Sequence, residues 1–253
     1  MTHVCYIVNT NYGSFITNIK DYIGIQIYQN HVWELDILNI YKSLLQPHYI
    51  VVDMGSHMGF HTINFALNSK HVYAFEPQLL LYNQLRGNVF LNDLNNQITC
   101  FNIGLGETNK RSSFGDLWGH NSLNWNGNWE EELINYGGRA LEDDLGTNEI
   151  EIKTLDSFNL HPHFIKIDIE GYELKALQGA KKTIELNKPI LLFETFEENQ
   201  KKVFEFIKSM GYEIFTITKL ESNFIAIHPQ FEDYIKVKQI IDITLEASED
   251  IKN

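Results

Sequence analysis

The chain has 253 residues, 43% hydrophobic and 13% aromatic, enough to fill the core of one large α/β domain or two small ones and too apolar for a disordered chain. Twenty Lys and Arg against 33 Asp and Glu leave a net charge of −13, which disfavours a nucleic-acid backbone or an anionic membrane surface as partner and favours a neutral or cationic small molecule. The two cysteines, Cys5 and Cys100, form neither a disulfide framework nor a zinc motif, and with no leader or bilayer-length apolar run the expectation is a cytoplasmic protein.

In chain order, residues 1–30 mix short apolar pieces, Cys5 to Val8 and Tyr22 to Tyr28, with Asn and Gly; they read as one or two edge strands and loops. From Trp33 the spacing of Ile37, Leu38, Tyr41, Leu44 and Leu45 is helical, and Pro47 ends the run. Ile50-Val51-Val52-Asp53 then reads as a buried parallel strand. It is followed by a turn carrying Gly55 and Gly59 and by a helix with Ile63, Ala66 and Leu67 on its inner face. Val72 to Glu76 is a second strand, stopped by Pro77. Leu81, Leu85 and Val89 mark a helix, and Gln97 to Ile103 a third strand. This alternation predicts a Rossmann-like, doubly wound, mostly parallel sheet of about seven strands.

Residues 107–150 interrupt the rhythm with Gly, Asn, acids and Trp118, Trp125 and Trp129, and read as an ordered flap over the carboxyl end of the sheet. Its aromatics either stack on a sugar ring or anchor the flap to the core. The alternation resumes at Glu149 to Thr154. Phe164 to Asp168 is the fourth core strand, and a helix with Leu174, Leu177, Ala180 and Ile184 inside follows it. Pro189 to Glu194 is another buried strand, and Val203, Phe206, Ile207 and Met210 mark a helix. Tyr212 to Ile217 and Phe224 to Ile227 form an antiparallel hairpin at the sheet edge. Tyr234, Val237, Ile241 and Leu245 share one face of a helical tail, residues 231–253. The expected division is an N-terminal extension, 1–48, with its helix packed on the core; a main domain, 49–230; and the tail. Apolar faces on the first and last helices leave monomer and homodimer both open.

The chemistry-bearing residues fall at strand ends. Asp53, Gly55, Ser56, His57 and Gly59 form a turn in which glycine permits a close backbone approach and a helix start offers N–H groups to a ligand. Glu76 stands 21 residues after Gly55, where an acid accepts hydrogen bonds from both ribose hydroxyls of an adenosine. The loop reads D-x-G-x-x-x-G and carries no Lys or Arg, so S-adenosylmethionine fits better than a dinucleotide. Asp168 and Glu170 would share a face on a continuing strand, although Gly171 favours a bend. They read as a general base or acceptor contact, with a divalent metal pair or a helix cap as alternatives; a metal is possible but not expected. Lys166, inside an apolar strand, needs a buried partner. Glu194 faces the same rim as a reserve acceptor contact. His57, His61 and His120 could each be a base, or polar packing residues. No metal set is evident around His161 and His163.

Asp53 to Gly59, Phe75-Glu76-Pro77, Thr154-Leu155-Asp156, Lys166 to Gly171 and the trailing Glu173, Leu177 and Gly179 occur in an order that resembles the FkbM family of class I S-adenosylmethionine-dependent methyltransferases. Trp33-Glu34, Asn88 and Asn92, and Pro189 to Glu194 fit the same pattern. His57 and Met58 depart from the Asn and Ile frequent in the family. The resemblance covers about residues 33–195 and implies O-methylation of a sugar, glycan or sugar-like hydroxyl. In it Asp53, Gly55, Ser56, His57 and Gly59 form the cofactor loop, Glu76 holds the ribose, and Asn102, Ile103 and Gly104 flank the adenine. Asp168 and Glu170 face the methyl group. Outside the match, His120, Asn121 and Ser122 of the flap are expected to meet the acceptor, with Glu194 at the rim in reserve. The alternatives are another small molecule or a protein as acceptor, or a non-catalytic glycan-binding module.

Overall fold

The computed structural model describes residues 5–114, 141–142, 149–217 and 222–250. The chain opens with an antiparallel hairpin, β1 (Cys5–Thr10) and β2 (Gly13–Asn18), then α1 (Tyr22–Asn30) and α2 (Leu35–Leu44). The alternating unit follows: β3 (Ile50–Met54), α3 (Phe60–Ala66), β4 (His71–Phe75), α4 (Leu79–Leu91) and β5 (Ile98–Phe101). Next come β6 (Gly104–Leu105), β7 (Lys110–Phe114), β8 (Leu141–Glu142), β9 (Glu149–Lys153) and a 3-10 turn, Leu155–Phe158. The last part holds β10 (Phe164–Ile167), α5 (Glu173–Gly179), α6 (Lys181–Asn187), β11 (Ile190–Glu194), α7 (Glu197–Ser209), β12 (Glu213–Thr216), β13 (Asn223–Ile227) and α8 (Tyr234–Asp250).

The central sheet has seven strands in the order β12-β13-β11-β10-β3-β4-β5. Its five strands from β11 to β5 run parallel, and β13 and β12 close one edge antiparallel, as the hairpin expectation required. The buried runs Ile50 to Met54 and Phe164 to Ile167 explain the centre: strands covered on both faces need continuous apolar sequence. The chain winds outward from β3 through β4 to β5, then returns to the other side of β3 with β10. The switch point therefore lies between β3 and β10, where an open α/β sheet leaves a crevice at its carboxyl ends.

Four readings change. Tyr22 to Tyr28 is helical, not edge strand or loop. Its alternating isoleucines imitate a strand, but Asp21 caps the helix by accepting the Gly24 N–H at 2.9 Å, and Gly24 and Ile27 face inward one turn apart. Leu67 caps the C-terminal end of α3 and is 58% exposed, while Ile63 and Ala66 are buried as expected. Glu149 to Lys153 does not rejoin the central sheet. It pairs with β6 and β7 in a second sheet ordered β6-β9-β7-β8, so part of the expected insertion is regular structure. Its burial alternates strictly, Ile150 and Ile152 inward and Glu149 and Glu151 outward, the pattern of a strand with one wet face. Finally, the apolar faces of α2 and α8 are covered within the chain: Ile37, Leu38, Tyr41 and Leu44 are buried on one, Val237 and Ile241 on the other.

Side-chain amides of α4 take the place of a strand beside β2. Asn88 Oδ1 accepts the Ile16 N–H at 2.6 Å, and Asn88 Nδ2 donates to the Met58 carbonyl at 2.8 Å. Asn92 holds both the N–H and the carbonyl of Ser14, at 2.8 and 2.7 Å. Gln84 Nε2 donates to the Ile16 carbonyl at 2.7 Å. The N-terminal hairpin is thus fixed beside the main domain through helix side chains. Among the described residues, no helix is long and apolar enough to cross a membrane.

Candidate active site

A cleft enclosing about 680 Å³ of empty space, mouth included, opens at the switch point. Gly55, His57, Glu76, Ile103, Gly104, Asp168 and Glu170 all border it, together with apolar walls from Ile23, Met54, Phe75, Leu105 and Ile169. Asp53, Ser56, Gly59 and Asn102 stand behind this lining and shape it. Ser56 Oγ donates to the Asp53 carbonyl at 3.0 Å, and Asn102 Nδ2 donates to the carbonyls of Glu76 and Pro77, each at 2.9 Å. Gly55 has φ +82°, and a Cβ there would overlap the Asp168 carbonyl oxygen, so glycine is what lets the ends of β3 and β10 meet. Gly59, φ +91°, faces Leu85 of α4 instead; its freedom serves helix packing.

Glu76 is 4% exposed. Its two oxygens accept the N–H groups of His57 and Gln78 at 2.9 and 2.8 Å. Burial pushes its carboxyl up to about 7 even though both N–H groups favour the charged form. Each oxygen keeps a lone pair for a further donor.

Asp53 lies under the cleft, fully buried. Thr62 Oγ1 donates to its Oδ2 at 2.5 Å, and Lys166 Nζ stands 3.8 Å from its Oδ1. Burial raises its pKa more than Lys166 lowers it. The partner Lys166 needs is chiefly Asp168, with Nζ to Oδ2 at 3.0 Å. Burial opposes both charges, yet the pair wins: the ammonium is held above its usual range and the Asp168 carboxylate below its own. Asp168 also shares a hydrogen bond with Glu194, from the neighbouring strand. Glu194 is pushed up to about 8 by burial and by the charges of Asp168 and Glu34, so it carries the proton of that bond at neutral pH, and its Oε1 accepts from Ser222 Oγ at 3.1 Å.

Glu170 follows a break. Strand β10 stops at Ile167, and Glu170 and Gly171 have φ +54° and +89°. The strand alternation expected for Asp168 and Glu170 therefore does not apply, and the bend brings both to the cleft. Burial, Asp168 and Glu173 push the Glu170 carboxyl up to about 7. The cap that closes this turn comes from Glu173, whose Oε1 accepts the Gly171 N–H at 2.8 Å.

The remaining candidates sort by position. His61 is held between Tyr41 OH at 3.2 Å and Glu34 Oε2 at 3.0 Å and does not border the cleft. His120, Asn121, Ser122 and the three flap tryptophans lie outside the described residues. Asp156 is a capping residue: it accepts the N–H groups of Lys182 and Thr183 at the start of α6. At the opposite end of the sheet His163, His48 and Glu232 come together, a grouping the sequence did not reveal. His163 Nδ1 accepts the Ile50 N–H at 3.1 Å, which leaves its proton on Nε2, the nitrogen 4.0 Å from Glu232. That tautomer turns a hydrogen, not a lone pair, toward the gap where a metal would sit.

Sequence reasoning missed Ile23, because its helix resembled a strand, and the role of Glu34, whose carboxylate is bonded to His61 and acts electrostatically on Glu194 and Lys166. Asp21 standing three residues before Gly24 was the available signal for the first.

The sequence pattern of the methyltransferase FkbM domain family matches residues 53–214. Among curated proteins, none matches the sequence. The crystal structure of Methyltransferase FkbM from Methylobacillus flagellatus superposes with a TM-score of 0.52 at 20% identity, over 73% of this chain and 47% of that one. The M. jannaschii tRNA m1G37 methyltransferase does so with a TM-score of 0.50 at 12% identity, over 90% and 54%. The chain thus spans about half the length of each, and at these identities the likeness is one of fold.

Proposed function

Because this chain belongs to the FkbM methyltransferase family, with its match spanning residues 53–214, we propose that it is an S-adenosylmethionine-dependent O-methyltransferase acting on a hydroxyl of a sugar, glycan or sugar-like ring. The observation that carries the cofactor is the lining of the cleft: three acids, Glu76, Asp168 and Glu170, and no Lys or Arg among the described residues. Such a wall accepts a cationic ligand and rejects phosphates. Glu76, fixed by two backbone N–H groups, is suited to receive ribose hydroxyls. The apolar residues Phe75, Ile103 and Leu105 suit a flat base.

When bound, S-adenosylmethionine supplies an electrophilic methyl group on a sulfonium. The protein's own contribution is alignment and proton removal. Asp168, kept ionised by Lys166, gives the rim a fixed negative charge and is too weak a base to take a proton near neutral pH. Glu170, with its carboxyl near 7, is matched to that task and takes the acceptor hydroxyl's proton. The overall charge of −13 favours a small, uncharged acceptor over a nucleic acid.

Calorimetry with S-adenosylhomocysteine tests the cofactor claim. Wild type should bind, and Glu76→Ala should bind at least tenfold more weakly; no binding by folded wild type at millimolar ligand overturns it. Labelled cofactor with free sugars, glycans and peptides then tests the acceptor claim, and turnover confined to peptides would refute it.

A further inference from the structure

Three buried polar atoms meet at the head of α1 with no hydrogen-bond partner among the described residues: Asp21 Oδ1, His57 Nδ1 and His57 Nε2. Asp21 is 2% exposed, and its other oxygen is committed to the Gly24 N–H. Its free oxygen faces His57 Nε2 at 3.8 Å, beyond hydrogen-bond reach. Unpaired buried polar groups are costly, and natural structures keep few of them without a reason. The position supplies one. His57 borders the cleft, its N–H is bonded to Glu76, and its ring feels the charge of Asp168, so it stands between the nucleoside end and the rim. Ile23, two residues past Asp21, borders the same cleft.

The chemistry of the pair is that of a receptor for a donor. Burial holds the His57 imidazole in its neutral form, leaving one nitrogen as an acceptor, and Asp21 offers a carboxylate oxygen. A ligand carboxylate placed there would be repelled by Asp21, whereas an ammonium would satisfy both groups and gain a charge-assisted bond.

We propose that Asp21 and His57 receive the α-ammonium group of the cofactor's amino-acid end. This rests on the S-adenosylmethionine reading above and adds to it that residues before position 53, outside the matched domain, complete the cofactor site. His57, where the resembled family often carries Asn, would then be matched to Asp21 in this chain.

The test compares two ligands with the same nucleoside, S-adenosylhomocysteine, which has the amino-acid end, and 5′-methylthioadenosine, which lacks it. Asp21→Asn keeps an acceptor for the Gly24 N–H, so α1 retains its cap. It should weaken S-adenosylhomocysteine roughly 10-fold or more and leave methylthioadenosine within about twofold; His57→Leu should do the same. An equal loss for both ligands, or a loss for neither, overturns the assignment. If folded wild type binds neither nucleoside, the cofactor reading itself fails, which is a separate result.

Discussion

Lys166 sits at the centre of the site's electrostatics without bordering the cleft. Removing its charge, as in Lys166→Met, strips the ion pair from half-buried Asp168 and the neighbouring cation from fully buried Asp53, and the loss should be about 1–3 kcal/mol in urea denaturation; an unchanged midpoint would contradict the ion pair described above. The same pairing decides which acid can act as base. Because Glu170 is pushed up to about 7, it is ionised above that value and protonated below it, so kcat/KM should fall as pH drops through 7. Glu170→Gln should cost roughly 100-fold or more in rate and remove that acid limb; a variant with the wild-type profile would assign the base elsewhere. From the sequence, the need of Lys166 for a partner was legible because a charge in an apolar strand has few options. Which carboxylate it would take was not, since Asp53 and Asp168 come from strands 115 positions apart that only the parallel register brings together.

Among the elements, those with a single dominant period were readable: the continuous apolar runs of β3, β10 and β11, and the helices with Leu81, Leu85 and Val89 or Val203 and Ile207 inside. Those with two competing signals were not. In α1 the Ile23, Ile25, Ile27 alternation spoke for a strand, and a single cap from Asp21 together with tertiary contact decided otherwise. Asn88 and Asn92 read only as motif letters, because their partners are backbone groups of a hairpin more than 70 residues earlier. Asn88→Ala strips bonds from the Ile16 N–H and the Met58 carbonyl and should cost roughly 2–4 kcal/mol. Asp156→Ala, which removes a cap from α6, should cost only about 1 kcal/mol. Denaturation of the two variants side by side checks the order; a larger loss for Asp156→Ala would mean that the amide clamp matters less than its burial implies.

For the whole molecule, the topology followed from the order of strand and helix signals, while the second sheet did not, because β6 and β8 have two residues each and leave no period to read. The folded chain also stores protons. Glu76 has a folded-state pKa of about 7 against an ordinary 4.5, so the native state binds its proton more tightly than the unfolded chain. That contribution is fully present below 4.5 and is lost as pH rises through 7, a change of about 3 kcal/mol. Comparing ligand-free wild type with Glu76→Gln by urea denaturation at pH 4.5 and 8 isolates it, because the histidines titrate alike in both. Wild type should lose about 3 kcal/mol relative to the variant across that range; a constant difference would mean that Glu76 is not buried as described.

The amide clamp on the N-terminal hairpin has a consequence for ligand exchange. The wall of the cleft that contains Ile23 follows β2, and β2 is joined to the main domain by the side chains of Gln84, Asn88 and Asn92 and by the packing of Phe15 in the core, not by a ladder of the central sheet. Release of that side would therefore leave all seven central strands paired. Amide hydrogen exchange would time it, with the Ser14 and Ile16 N–H groups exchanging well ahead of those in β3 and β10, and slowing once the cleft is filled.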